Sequence, residues 1–207
     1  MSVRSVQKEA TRRRVLEAAR ELFETEGYEE TTVRAIAKRA GVSVGSVFTS
    51  FQSKLDILSE VMGERLDELY EELDRVGHQL RGSTADRLRS LFALFFAFET
   101  RRKRLFLAHI AATYDWRPGA KATPFGHNER LKQVVRDCLA RGVAAGDVDP
   151  AIDPELIVDT LLAAYAWTYR LAAWADADAD TMSHAMDRQI GLIAAGFTPR
   201  PQASGLI

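Results

Sequence analysis

Thr32-Val33-Arg34-Ala35-Ile36-Ala37-Lys38-Arg39-Ala40-Gly41-Val42-Ser43-Val44-Gly45-Ser46-Val47-Phe48-Thr49-Ser50-Phe51 is the stretch that decides how this chain is read. Thr31-Thr32 offers a hydroxyl N-cap and Val33 to Ala40 fills two helical turns, with Ile36, Ala37 and Ala40 on one face. Gly41 then permits a sharp turn, and Ser43 caps a second short helix from Val44 to Phe51. Helix, glycine turn and helix make a helix-turn-helix. Val42 plugs its corner, and Val47 and Phe51 face inward on the second helix. Val44, Gly45, Ser46, Thr49 and Ser50 face outward, small or polar, and no acid occurs from Val44 to Phe51. A helix that enters a major groove needs such a slim, non-acidic face.

The flanks suit a phosphate backbone. Thr32 at one helix start and Lys54 at another would bring a hydroxyl, exposed amides and an ammonium to an anion. The cluster Arg12, Arg13 and Arg14 reads equally as a further backbone contact or as a solvated face.

Whole-chain charge hides this asymmetry. The 207 residues carry 28 Lys and Arg against 29 Asp and Glu, a net charge of −1. Up to Lys54 there are 10 basic and 7 acidic residues, or +3, which leaves 18 against 22, or −4, for the remainder. A basic end on an acidic body hints at an anionic partner.

Everything else reads as helix, with no period-2 strand and no hairpin dipeptide. Val15, Leu16, Ala19, Leu22 and Phe23 define a helix from about Val6 to Thr25, closed by Gly27. Ser53 and Asp56 have capping-box spacing and open a long helix to about Arg81. Further helices are expected over about 86–99, 101–114, 125–145, 153–174 and 180–195, with a Pro- and Gly-punctuated loop from Asp115 to Pro124. The longest apolar run, Leu91 to Phe98, is eight residues, far short of the ~20 of a membrane span. With one cysteine, Cys138, and no apolar leader behind Met1, a cytoplasmic location is expected.

Residues 12–62 resemble the DNA-binding domain of the TetR family of bacterial transcriptional regulators. The resemblance is carried by Leu16-Glu17-Ala18-Ala19, Leu22-Phe23, Gly27-Tyr28, Thr31-Thr32-Val33, Ile36-Ala37, Ala40-Gly41-Val42-Ser43, Gly45-Ser46-Val47-Phe48, Phe51, Ser53-Lys54 and Leu58. The family usually has Tyr where this chain has Phe48, and often Tyr or His where it has Thr49. Phe48 lacks the phenolic hydroxyl that commonly meets a phosphate.

The resemblance implies an all-α fold: a three-helix DNA-binding domain over 1–54 (motif 32–51) and a helical-bundle ligand-binding and dimerisation domain over 55–207. It implies a ligand-responsive transcriptional regulator, a repressor released from a palindromic operator by a small, largely apolar effector. Expected DNA contacts are Thr32, Arg34, Val44, Gly45, Ser46, Phe48, Thr49 and Lys54. A homodimer is expected through helices at about 125–145 and 154–174, the second bearing a stripe of Leu156, Ile157, Thr160, Leu161, Ala164, Tyr165 and Thr168.

The C-terminal half is rich in rings. Those with a polar handle beside apolar neighbours are the ligand candidates: His109, Tyr114, Tyr165 and Tyr169, with Phe92, Phe96 and Phe106 as wall. The run Arg101 to Arg104 reads as a solvated helix start. The four histidines are scattered, and no Glu-x-x-His, His-x-x-x-His or Cys-x-x-Cys spacing occurs. Neither a nucleophile elbow nor a phosphate loop is present. Neither an enzyme nor a metal or cofactor protein is therefore expected. The alternative is a helical-bundle interaction protein or small-molecule binder without operator DNA.

Overall fold

Amphipathic periodicity and well-placed caps turn most of the described residues into helix. The computed structural model describes residues 3–113 and 129–199. Among them are nine helices and no strand: α1 (Val3–Thr25), α2 (Val33–Ala40), α3 (Val44–Phe48), α4 (Lys54–Gly77), α5 (Thr84–Thr100), α6 (Lys103–Thr113), α7 (Glu129–Ala145), α8 (Pro154–Ala175) and α9 (Ala179–Phe197). No described helix is long and apolar enough to cross a membrane. The loop expected over Asp115–Pro124, with Tyr114, lies outside the described residues.

Packing divides the chain into two units, residues 1–71 with 101–122 and residues 72–100 with 123–207. Helix α4 runs through the boundary expected after Lys54. In the N-terminal unit, Val15, Ala19 and Phe23 of α1 meet a core shared with Ile36 and Ala37 of α2, Val47 of α3, and Phe51, Ile57, Leu58 and Val61 around the start of α4, all buried. Each fully buried large apolar side chain here contributes ~1.5–3 kcal/mol. Phe23 also packs its ring on Tyr28 at 5.3 Å, which fixes the turn between α1 and α2.

The C-terminal unit is built on α5, which packs along α9, with α8 on α9 and α7 against α5 and α8. Leu88, Leu91, Phe92, Phe95 and Phe96 of α5 share a core with Leu161, Tyr165 and Tyr169 of α8 and Met182, Met186 and Ile190 of α9. One corner is tightly fastened. The Thr84 amide and hydroxyl donate to the Asp147 carboxylate at 2.6 and 2.8 Å, and Arg87 donates to the Thr84 hydroxyl at 2.7 Å. Gly142 passes this corner so closely that a Cβ there would sit 2.1 Å from Thr84 Oγ1 and 2.5 Å from Val148 Cγ2.

Two helices stop earlier than their sequence suggests. α3 ends at Phe48, after which Ser50 closes a tighter turn onto the Val47 carbonyl. α4 ends at Gly77 rather than near Arg81, because the Gly77 carbonyl accepts from the Leu80 amide and from the Arg141 guanidinium.

Candidate nucleic-acid interface

The caps that the sequence announces are made. Thr32 takes an extended conformation and its hydroxyl accepts the Ala35 amide at 3.1 Å, starting α2. Gly41 ends α2 at φ 65°, and Val42 donates back to the Ala37 carbonyl at 3.0 Å. No atom would crowd a Cβ at Gly41, so backbone conformation selects glycine there. Ser43 then caps α3 by accepting the Ser46 amide at 3.0 Å. Val47 anchors the inner side at 1% exposure, which turns Val44, Gly45, Phe48 and Thr49 outward. Ser46 is half-buried, and its hydroxyl lies 2.8 Å from that of Ser43. Thr32 and Arg34 are exposed beside this face.

Lys54 has a second occupation that its sequence position does not announce. Its ammonium donates to the carbonyls of Tyr28 at 2.7 Å and Glu29 at 3.2 Å, and stands 4.2 Å from the Tyr28 ring centre. The first residue of α4 thus ties down the turn between α1 and α2. Burial raises the Tyr28 phenol above its usual range, with the Glu29 charge adding to the rise. The arginine cluster divides in a similar way. Arg12 pairs with Glu60, donates to the Ser50 carbonyl at 3.4 Å and covers the Phe51 ring, whereas Arg13 and Arg14 are exposed. Arg12 therefore braces the base of the second short helix. Arg39 pairs with Glu21, which joins α2 to α1. Arg102, in the basic run before α6, pairs with Glu24.

The ring-bearing candidates fall in separate units. Phe92, Phe96, Tyr165 and Tyr169 gather in the C-terminal unit, with the Tyr165 ring 5.3 Å from Phe92, 5.5 Å from Phe96 and 5.0 Å from Tyr169. Sequence reasoning overlooked the acid that meets one of them. Glu99 is 2% exposed and accepts the Tyr165 hydroxyl at 2.5 Å, while Tyr169 donates to the Tyr165 oxygen at 3.0 Å. A signal existed, since Glu99 continues the buried stripe of Leu88, Phe92, Phe95 and Phe96 at helical spacing. Phe106 and His109 lie on α6 in the N-terminal unit, rings 6.4 Å apart. His109 is largely buried, and that burial lowers its pKa to about 4, so the imidazole is neutral at pH 7. Its Nδ1 is buried without a hydrogen-bond partner among the described residues.

Among the described residues no cluster of His, Cys, Asp or Glu could hold a metal ion. Cys138 is a buried free thiol whose pKa burial pushes up, so it is a packing residue and a poor nucleophile.

With this geometry in place, comparison with known proteins is informative. Residues 15–61 match the family described as "Bacterial regulatory proteins, tetR family". The chain is 31% identical over 145 residues to the HTH-type transcriptional repressor KstR2 of Mycolicibacterium smegmatis, covering 69% of this chain and 70% of that protein. It is 26% identical over 192 residues to the HTH-type transcriptional regulator HbdR of an Aromatoleum species, covering 91% and 81%. Among solved structures it resembles Thermus thermophilus FadR, a TetR-family transcriptional repressor in complex with lauroyl-CoA. That likeness has a TM-score of 0.75 and 27% identity, over 94% of this chain and 98% of that one. The chain belongs to the TetR family: it is a ligand-responsive, DNA-binding transcriptional repressor and not an enzyme.

Proposed function

We propose that two copies of the chain bind a pseudo-palindromic operator in the cytoplasm and leave it when a fatty acyl-CoA thioester is bound. Operator contact is assigned to Thr32, Arg34, Val44, Gly45, Ser46, Phe48, Thr49 and Lys54. The supporting observation is the outward face of α3, which carries no acid and is held in place by the Ser43 cap and buried Val47.

For the effector, the carrying observation is the likeness to the lauroyl-CoA complex of Thermus thermophilus FadR. The acyl chain is assigned to the ring-rich part of the C-terminal unit, where Phe92, Phe96, Tyr165 and Tyr169 cluster and the Tyr165 hydroxyl meets buried Glu99. Phe106 and His109 of α6 are assigned separately, His109 for a buried ring nitrogen with no hydrogen-bond partner among the described residues. An effector that binds one conformation of the dimer better shifts the population away from DNA by that differential affinity.

The dimer face is assigned to α8 and α9. Leu156, Trp167 and Trp174 stand on one stripe of α8 with exposures of 63, 61 and 87%, and Leu192 of α9 is 79% exposed. This departs from the expectation of helices at about 125–145 and 154–174. Ile157, Leu161, Tyr165 and Thr168 of the expected stripe are buried within the chain. The outer side of α7 is polar at Glu129, Arg130, Gln133 and Asp137, with Val143 its exposed large apolar residue, so α9 is preferred as the second helix.

Fragments of genomic DNA retained by the full-length protein test the operator reading, and a shared palindrome is the expected result. Titrating a retained fragment with lauroyl-CoA, dodecanoic acid and free coenzyme A tests the effector class. Release by lauroyl-CoA, and by neither component alone, is expected; release by none of them overturns that class. Failure to enrich any palindrome would favour the bundle interaction protein.

A further inference from the structure

Sequence-specific helices usually read purines through Arg or Lys on guanine and Asn or Gln on adenine. Helix α3 can do neither, because no Arg, Lys, Asn, Gln, Asp or Glu occurs from Val42 to Phe51. Its hydroxyls are also partly committed. The Thr49 hydroxyl donates to the Gly45 carbonyl at 3.0 Å, Ser43 and Ser46 share a bond at 2.8 Å, and Ser43 accepts the Ser46 amide. Two apolar side chains remain on the outer face, Val44 at 37% and Phe48 at 53% exposure. They lie four residues apart, so they stand one above the other. Gly45 beside them adds no bulk, and the nearest side-chain atom to a Cβ built there is 3.8 Å away. The result is a small greasy ridge on a helix whose caps and buried Val47 fix its orientation.

In the major groove, the apolar group available to such a ridge is the 5-methyl of thymine. We infer that Phe48 and Val44 read thymine methyl groups, and that this contact sets the base preference of α3. The inference rests on the operator-binding reading. Phe48 takes this role because it is aromatic without a hydroxyl: it gives up a phosphate hydrogen bond and gains a face that water wets poorly. Exposed Val44 and Phe48 cost the free protein little structure, since neither fills the core.

The test uses the full-length protein and a genomic fragment that it retains. Each thymine of the half-site is replaced in turn by deoxyuridine, which removes the methyl and leaves the hydrogen-bonding edges unchanged. Removing one contacted methyl exposes roughly one CH₂ equivalent, so affinity should fall about fourfold per methyl and about fifteenfold when both half-sites are changed. Phe48→Ala should abolish this difference at one or two positions and keep the dependence on salt concentration, because no phosphate contact is lost. Phe48→Leu should restore part of it. Circular dichroism on both variants checks that they fold.

Affinity unchanged by deoxyuridine throughout the half-site overturns the inference while operator binding stands. So does a wild-type discrimination that survives Phe48→Ala together with Val44→Ala. Absence of any retained fragment overturns the operator reading itself, and a protein captured through this ridge would then be its occupant.

Discussion

Replacing Lys54 by Met keeps the apolar stem of the side chain and removes its charge. The ammonium makes a 2.7 Å bond to the Tyr28 carbonyl, a longer one of 3.2 Å to the Glu29 carbonyl, and a 4.2 Å approach to the Tyr28 ring. A hydrogen bond from a charged donor contributes about 1.5–3 kcal/mol, and the longer, more exposed one falls below that range. The ring contact adds about 0.5–1 kcal/mol. Since the Met stem retains the packing, the expected loss is about 2–3 kcal/mol. For a chain of this size, about 2–4 °C per kcal/mol puts the melting midpoint of Lys54→Met some 5–10 °C lower. Thermal denaturation followed by circular dichroism reads this directly. A midpoint within about 1 °C of wild type would refute the clamp. Operator affinity measured across a salt series separates the second role. The third N–H of the ammonium can still meet a phosphate, in which case the salt slope falls by about one unit. An unchanged slope with weaker binding would mean that Lys54 acts on DNA only by placing the turn between α1 and α2.

Two glycines inside helices should respond to alanine in opposite ways. At Gly142 the new methyl would collide with Thr84 Oγ1 and Val148 Cγ2, so Gly142→Ala should cost about 2–4 kcal/mol in a chemical denaturation midpoint, exceeding the ~1 kcal/mol gain in helix preference. At Gly45 the methyl meets no side-chain atom closer than 3.8 Å, so Gly45→Ala should melt at or above wild type and yet bind the operator more weakly, because the methyl stands on the face assigned to DNA. Acid should also weaken the fold through His109. Its folded pKa of about 4 lies below the unfolded value of about 6.5, so the unfolded chain binds more protons between those values. Stability is therefore highest above pH 6.5 and falls as pH drops towards 4, by about 3 kcal/mol from this group, and His109→Leu should flatten that part of the profile.

Legibility in the sequence followed the range of the interactions. Thr32, Gly41 and Ser43 make caps within four residues of themselves, and their roles could be read directly. The buried stripe of α5 was readable for the same reason, being periodic in one helix. What escaped was decided by residues distant along the chain. Lys54 looked like a free cation until the Tyr28 carbonyl, 26 positions earlier, was placed beside it. Arg12 looked like part of a basic cluster until Glu60 and Phe51 took it up. Glu99 was passed over because a charge is expected to be solvated, and the Tyr165 hydroxyl that helps to make its burial tolerable comes from another helix, 66 positions later. The end of α4 at Gly77 likewise depends on Arg141, 64 positions later.

The corner fastened by Asp147 has a consequence for synthesis. The amide and hydroxyl at the start of α5 are met by a carboxylate 63 positions further along the chain, just beyond the end of α7. As the polypeptide leaves the ribosome, α5 therefore emerges with only its local cap, in which Ser83 accepts the Asp86 amide and Asp86 accepts the Ser83 amide, while the Thr84 amide and hydroxyl still face water. Its strongest terminal partner exists only after α7 has been made. At about 5–20 residues per second, making the intervening chain takes seconds, whereas a helix forms in about a microsecond. Meanwhile the helix-turn-helix, whose caps are all local, can already be in place. The order of translation thus gives the reading head time to fold before the body that controls it is locked.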